Sequence, residues 1–457
     1  MNNFFEKMFK LSEHKVTVKG EMLAGFTTFM TMAYILAVNP AILSATGMDR
    51  GALFTATAIA SAIGTLLMAF TANLPFALAP GMGLNAYFAF TVVLGQGYSW
   101  KTALTAVFIE GLIFIILSLT NVREAIFNSI PMSLKAAVSV GIGLFIALIG
   151  LKGANIVVPN ASTLVSMIPW SDKDNYPFST YGITAILAIL GIIFTGIIVA
   201  KKIKGGILLG ILFTYVLGII CELTGIYKVD IEHQFYSLIP DFSNGIAIPS
   251  LEPIAFKLEF SNIATFSFWG ILISFLFVDL FDTIGTLIGV STKADMLDKD
   301  GKLPKIKPAL LSDAIATSVG SVLGTSTVTT FVESAAGVAD GGRTGLTALS
   351  TAVLFLLSLI FSPIFLAIPG FATAPALIIV GFYMLTSVCK IDFDDFTEGI
   401  PAFICVIAMP FFYSIAEGIS TGIITYTFLK LFTGKGKDVS PLMYILTLVF
   451  LLRYIIH

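Results

Sequence analysis

The chain has 457 residues and a formal net charge of −2, with 56% hydrophobic and only 12% charged residues. Soluble domains carry about 25% charged residues, so the composition excludes a soluble globular protein. The near-neutral charge supplies no basic surface that would neutralise phosphates, which excludes a nucleic-acid partner. The few cysteines follow no metal-binding or disulfide spacing, and the sequence predicts neither a metal site nor a cofactor.

Long apolar segments recur along the whole chain. Crossing the ~30 Å hydrocarbon core takes ~20 helical residues, and these segments predict an all-α polytopic membrane protein with about 14 transmembrane segments. The predicted crossings are 21–42, 51–72, 75–93, 102–120, 132–151, 181–200, 204–224, 266–290, 307–324, 327–340, 344–366, 372–389, 398–414 and 417–432. A further apolar stretch, 441–457, closes the chain.

Lysines predict the orientation of these segments. Several precede the first crossing, KKIKGG follows the sixth, and KADMLDKDGKLPKIK follows the eighth. Positive residues collect in cytoplasmic connections, so we expect the N-terminus in the cytoplasm and the protein in the cell (inner) membrane. The two longest polar connections, 154–178 and 227–262, are then expected to be exposed loops on the outer side.

The two halves of the chain repeat each other weakly. SIPMSLKAAVSVGIGLFIALIGL (129–151) is similar to AIPGFATAPALIIVGFYMLTSV (367–388), at an offset of 238 residues. A similar offset relates the interrupted segment around Pro80 to the one at 320–335. An odd number of crossings in the first half reverses the direction of the second half. The sequence therefore predicts an inverted repeat with a binding site near the middle of the membrane.

Two carboxylates interrupt the eighth segment, in FVDLFDTIGT. On a helix, Asp279, Asp282, Thr283 and Thr286 form one stripe. A carboxylate that faces lipid costs several kcal/mol, so we expect the stripe to face protein or a wet cavity. Polar contacts that merely join helices are the alternative, but two acids without a nearby cation in the sequence favour a functional site.

The third segment, LPFALAPGMGLNAYFAF (74–90), has too many helix breakers for one continuous helix. Pro80, Gly81 and Gly83 predict an extended piece up to the proline, followed by a half-helix. Broken backbone at membrane depth lines a cavity or is covered by protein. Asn85, in the first turn of the half-helix, is a candidate ligand-binding residue; the alternative is that it satisfies freed backbone groups.

The tenth segment, GTSTVTTFVESAAGVADGGRTG (324–345), is interrupted in the same way. Its threonines favour extended backbone, and SAAGVA predicts a short helix behind them. Thr330 and Glu333 have the spacing of a capping box, which is the structural alternative for the glutamate. A carboxylate at membrane depth beside a half-helix N-terminus favours a ligand site instead. With acids that bind protons and Phe331 to stack on a flat ring, these features predict a secondary transporter.

Three motifs together resemble one known family. LAPGMGLNAYFAF (78–90), FVDLFDTIGTLIGV (277–290) and TSTVTTFVESAAGVADGGRTGLTA (325–348) are similar to the nucleobase–cation symporter-2 family, in its adenine, guanine and hypoxanthine permease branch. The resemblance runs through nearly the whole chain. Uracil and xanthine branches of that family carry a Glu, often with a His, in segment 8, where this chain has two aspartates.

The resemblance implies a fold of fourteen segments in two inverted seven-segment repeats, 18–226 and 262–457, with short strands in the broken segments 3 and 10. The implied domains are a core domain, 18–121 plus 262–366, and a gate domain, 129–226 plus 367–457. It also implies a homodimer formed through the gate domains.

The resemblance further implies roles for individual residues. Asp279 and Glu333 are expected to hydrogen-bond the base, and Asp282 to support them. Other expected substrate contacts are Asn85, Phe331 and Val332. Proton coupling or support is expected from Asp282, Glu333 and Thr283, and the broken-helix backbone from Pro80, Gly81, Gly83 and Thr330.

The predicted function is a permease, and not an enzyme, that takes up guanine, hypoxanthine or adenine by proton symport, with a core domain that moves as an elevator or by rocking. One alternative is a xanthine, uracil or other small-solute transporter of the same fold; an anion carrier would need a positive site. A Mg²⁺-dependent intramembrane prenyltransferase is the other alternative, and it would need basic residues for a diphosphate near Asp279 and Asp282.

Overall fold

The computed structural model describes residues 2–120, 129–160, 162–233, 235–240, 242, 247–293, 296 and 303–456. In this part of the chain, ten helices are long and apolar enough to cross a membrane. The helices of the first half are α1 (Asn2–Phe9), α2 (Val18–Met32), α3 (Ile35–Ser44), α4 (Arg50–Leu67), α5 (Met82–Ala86), α6 (Trp100–Leu119), α7 (Met132–Gly153), α8 (Ile183–Ala200) and α9 (Gly206–Leu223).

The second half also has nine α-helices in the described residues. They are α10 (Phe266–Lys293), α11 (Ile306–Leu323), α12 (Ser334–Ala339), α13 (Gly345–Leu357), α14 (Ser362–Ala367), α15 (Gly370–Leu385), α16 (Phe396–Phe411), α17 (Ile415–Phe432) and α18 (Pro441–Ile456). Side chains fix several starting points: Thr17, Asp49 and Ser99 each accept a hydrogen bond from the backbone N–H three residues ahead.

The first crossing, predicted as one continuous segment, is divided between α2 and α3. The division falls at Ala33 and Tyr34, where the N–H of Leu36 donates to the carbonyl of Ala33 at 3.1 Å. Bonds of this tighter i to i−3 type interrupt the α-helical pattern. Pro40 loosens α3 further, because it has no N–H to donate to Leu36.

The two interrupted segments meet as a pair of short antiparallel strands. Strand β1 (Leu78–Pro80) pairs with β4 (Val328–Thr330), with Ala79 opposite Thr329. Both strands are followed by short helices, α5 and α12, as the breakers predicted. The loop at 154–178 also contains a hairpin of β2 (Val157–Asn160) and β3 (Leu164–Met167), which the sequence analysis did not predict.

Helices from the two inverted halves pack against one another. Helix α7 packs against α15 and α16, while α15 also packs against α8. At the α7–α15 crossing, a Cβ on Gly143 would lie 2.7 Å from the carbonyl oxygen of Gly381, and a Cβ on Gly381 would lie 2.4 Å from that of Gly143. These glycines are separated by the same offset as the sequence repeat, so the repeat brings equivalent positions face to face.

Candidate functional site

The strand pair at the centre of the bundle is hydrogen-bonded on both sides. Between the strands, the N–H of Gly81 donates to Thr327 and that of Phe331 donates to Ala77, at 3.0 and 2.9 Å. On the outer sides, the N–H of Leu78 donates to the Thr65 hydroxyl on α4, and the Thr317 hydroxyl on α11 donates to the Val328 carbonyl. Threonines thus satisfy the backbone that the breaks expose, as a water-free interior requires.

Asp279 lies in a fully buried cluster of oxygen atoms. The hydroxyl oxygen of Thr283, one turn further along α10, lies 2.8 Å from Oδ1 of Asp279 and 3.0 Å from Oδ2 of Asp313 on α11. It also lies 2.6 Å from the hydroxyl of Thr329 on β4. Asp313 in turn accepts the backbone N–H of Thr330 at 3.1 Å. The carboxylate pair is therefore tied to the strand of segment 10.

Asp282 lies on the neighbouring face of α10, beside the end of β1. A Cβ on Gly81 would lie 3.2 Å from Oδ2 of Asp282 and 2.7 Å from Cγ2 of Thr329. Glycine at this position lets the strand approach the carboxylate. Asp282 is only partly buried, and it interacts electrostatically with Asp313 and Glu333.

Asn85 joins the two broken segments. Its amide donates to the Pro80 carbonyl at 3.4 Å, and its Oδ1 accepts a hydrogen bond from Ser326. The side chain is fully buried. In this structure, Asn85 therefore provides a hydrogen-bond donor to a backbone carbonyl of segment 3 and links that segment to segment 10. Just before it, Gly83 meets α7, where a Cβ would lie 2.9 Å from Cγ2 of Ile142.

Glu333 does not form the capping box that its spacing with Thr330 allowed. It occupies the N-cap position of α12, yet its side chain makes no cap hydrogen bond. Oε1 instead accepts the hydroxyl of Tyr34, at 2.6 Å, and the backbone carbonyl accepts Thr31 at 3.4 Å. The side chain of Thr330 points to Asp313, at 3.5 Å. The glutamate is partly buried.

The apolar residues beside the acids of segments 8 and 10 differ in their exposed fraction. Phe331 is buried, whereas Val332 is 49% exposed. On α10, the rings of Phe277 and Phe281 lie with centroids 6.3 Å apart. Phe277 is buried and Phe281 is partly buried, on the same helix as the two aspartates of segment 8.

Two residues of this site were missed by the sequence analysis. Asp313 lies in an apolar segment, PALLSDAIATSVG, and an acid at that depth was the available signal. Tyr34 gave no signal, because an aromatic residue in an apolar helix is typical of a core position. A third buried acid, Glu110 on α6, accepts the Thr327 hydroxyl at 2.8 Å and so also contacts segment 10.

The chain matches the model of the Permease family over residues 19–421. It is 49% identical to a putative permease of Methanocaldococcus jannaschii, over 99% of this chain and 98% of that protein. It is 44% identical to the guanine/hypoxanthine permease PbuG of Bacillus subtilis, over 98% of each chain. It is 40% identical to the adenine permease AdeP of Escherichia coli, over 98% of this chain and 96% of the relative.

Solved structures share the fold at low identity. The transmembrane domain of a cyanobacterium bicarbonate transporter, BicA, has a TM-score of 0.62 at 16% identity and covers 88% of this chain and 97% of its own. SLC26A9 has a TM-score of 0.64 at 11% identity, covering 92% of this chain and 67% of its own. The predicted inverted repeat of seven plus seven segments is confirmed as the fold of these transporters.

The fold and the buried polar residues around the strand pair define a multi-pass membrane transporter. The chain belongs to the permease family of nucleobase–cation symporters. The family resemblance that the three motifs predicted is thereby confirmed, and the protein is a permease rather than an enzyme.

Proposed function

We propose that this permease takes up purine nucleobases, with guanine, hypoxanthine and adenine as the candidate substrates, by proton symport. The observation that carries the proposal is that three acids, the fully buried Asp279 and the partly buried Asp282 and Glu333, lie beside the strand pair. Asp279 and Asp282 come from α10 and Glu333 from the N-terminus of α12. The named activities of PbuG and AdeP, which share 44% and 40% of their residues with this chain, support the purine assignment.

Purine bases suit such a site chemically. They are flat and neutral, and their ring and amino N–H groups are donors that carboxylates accept in strong hydrogen bonds. The buried rings of Phe331 and Phe277 offer apolar contact to the base faces. Without these donors, the ionised acids would be costly to bury, so base binding and the charge of the site are coupled.

The cluster around Thr283 supports a proton as the coupling ion. Its hydroxyl oxygen has three oxygen neighbours within hydrogen-bond distance: one each on Asp279, Asp313 and Thr329. The two threonine hydroxyls supply two hydrogens for these three contacts. A proton shared between Asp279 and Asp313 would give each contact its own hydrogen and would reduce the repulsion between the two acids. Releasing it on one side of the membrane and taking it up on the other would couple transport to the proton gradient.

The remaining parts of the proposal concern the whole protein. We place it in the cell membrane with its N-terminus in the cytoplasm, as the lysine distribution indicates. Residues 18–121 plus 262–366 form the proposed core domain, which carries the site and moves by an elevator or rocking motion. Residues 129–226 plus 367–457 form the proposed gate domain, through which two copies associate.

Uptake of labelled bases tests the proposal. Hypoxanthine, guanine, adenine, xanthine and uracil are supplied to cells lacking their own base permeases, with and without a proton uncoupler. Wild type is compared with Asp279→Asn and with Asp394→Asn, which changes an exposed acid. We expect uncoupler-sensitive purine uptake in wild type and Asp394→Asn, and a loss of at least about tenfold in Asp279→Asn, since a charge-assisted hydrogen bond is worth ~1.5–3 kcal/mol.

Three results would contradict parts of this proposal. Accumulation of xanthine or uracil alone would change the substrate class. Uptake that follows a sodium gradient and resists the uncoupler would replace the proton. Normal transport by Asp279→Asn would show that the carboxylate of Asp279 has only a structural role.

A further inference from the structure

The first crossing brings a hydroxyl to the candidate base-binding carboxylate from its buried side. The O–H of Tyr34 donates to Oε1 of Glu333 at 2.6 Å, although the two residues are 299 positions apart. Tyr34 is fully buried, whereas Glu333 is only partly buried. The tyrosine therefore binds one oxygen of a carboxylate whose side chain keeps a partly exposed surface.

This contact differs from those of Tyr215 and Tyr227, two other buried tyrosines. Tyr215 and Tyr227 donate to backbone carbonyls, of Leu238 and Tyr236, at 2.7 and 2.8 Å. Those bonds satisfy a hydroxyl that burial would otherwise leave without a partner. Tyr34 has an acid as its acceptor, and a bond to an ionised acceptor is shorter and about twice as strong as a neutral one.

Helix α2, which ends two residues before Tyr34, packs against the half-helix of segment 10. Thr31, one turn earlier, donates to the backbone carbonyl of Glu333 at 3.4 Å, and Thr27 donates to Asp340 at 2.6 Å. A Cβ on Gly337 would lie 2.1 Å from the hydroxyl oxygen of Thr28. The backbone of α12 is thus seated directly on α2, so the hydroxyl of Tyr34 is fixed relative to the carboxylate.

We infer that Tyr34 is a positioning residue of the base site, whose hydroxyl orients Glu333 and stabilises its ionised form. The inference rests on the proposed function, in which Glu333 accepts an N–H of the base. The other titratable groups that act on Glu333 are Asp282 on α10 and Tyr383 on α15. The negative charge of Asp282 opposes a second charge on Glu333, and the donor from Tyr34 offsets that repulsion.

Replacing the hydroxyl alone tests this role. Tyr34→Phe keeps the buried ring, and Tyr215→Phe is the matched control, since it removes an equally buried hydroxyl from a bond to a backbone carbonyl. Hypoxanthine uptake is measured against base concentration and external pH, together with the amount of protein in the membrane. We expect KM to rise about tenfold in Tyr34→Phe with little change in the maximal rate per inserted molecule, which corresponds to loss of one charge-assisted bond.

The pH profile separates positioning from a packing defect. Without the donor, Glu333 is protonated more readily, so the acid limb of the KM profile is expected to move to higher pH in Tyr34→Phe and to stay in place in Tyr215→Phe. An unchanged KM and pH profile in Tyr34→Phe would overturn the inference, as would failure of this variant alone to insert, because the hydroxyl would then serve folding. Failure of wild type to take up any base would overturn the proposed function itself.

Discussion

The hydroxyl of Thr283 links the two buried acids Asp279 and Asp313. One hydroxyl oxygen meets two carboxyl groups and a second hydroxyl, all within 3.0 Å. In the proposed mechanism one of these carboxyl groups holds a proton, and the bridging hydroxyl connects it to the other. Low dielectric makes a fully satisfied network strong and a broken one costly.

Thr283→Val keeps the shape of the side chain and removes the bridge. Asp279 and Asp313 would then face each other without their common partner, and we expect uncoupler-sensitive purine uptake to fall at least about tenfold, given ~1–3 kcal/mol for a buried unsatisfied group. Thr195→Val is the matched control, since its equally buried hydroxyl donates only to the Gly191 carbonyl within α8. Equal uptake in the two variants would show that the bridge is dispensable for transport.

At the scale of elements, Glu21 on α2 accepts hydrogen bonds from the N-terminus of α13. The fully buried carboxylate accepts the hydroxyls of Thr344 and Thr347, at 2.8 and 2.7 Å, and the backbone N–H of Arg343 at 2.8 Å. A negative side chain at a helix N-terminus is stabilised by the exposed N–H groups and the helix dipole. This contact links the first segment of one repeat to a late segment of the other.

Glu21→Ala should lower the stability of the folded protein. Several buried donors would lose their acceptor, and the expected loss is ~3 kcal/mol or more in the free energy of unfolding. The measurement is thermal unfolding of the detergent-solubilised protein, with Glu13→Ala as the control, since Glu13 pairs only with Lys10 at the surface. If both variants melt together with wild type, Glu21 does not support α13.

At the scale of the whole molecule, an ion pair connects the proposed gate and core domains. Lys204, in the connection between α8 and α9, pairs with Asp340 at the end of α12, which also accepts Thr27 of α2. The lysine is well exposed and the aspartate partly buried. A domain movement that carries the site across the membrane would have to break this pair.

Charge reversal tests whether the pair takes part in transport. We expect Lys204→Asp to change the maximal uptake rate severalfold, because two acids would repel where the domains meet, and Lys204→Asp with Asp340→Lys to restore it in part. Rates are taken per inserted molecule, since exposed pairs contribute only ~0–1 kcal/mol to stability. Lys202→Asp, on the same connection, is the control. Identical rates in all variants would separate this ion pair from the transport cycle.

The sequence by itself determined the membrane class, the crossings and both interrupted segments. Hydrophobic length and the helix breakers Pro80, Gly81 and Gly83 are local properties, and they predicted the strand and the half-helix behind it. The motifs sufficed to predict the family. The offset of the sequence repeat also identified equivalent segments, and two equivalent glycines, Gly143 and Gly381, lie in contact in the structure.

Only the tertiary structure decided which partners the acids have. Tyr34 meets Glu333 because the two repeats pack together, and Asp313 meets Thr330 because α11 packs beside β4. No local pattern encodes such pairs. The division between α2 and α3 was missed for the same reason, because the apolar sequence around Tyr34 gives no sign of its contact with Glu333. Periodicity assigns a residue to a helix face, whereas the packing of the two halves decides what that face contacts.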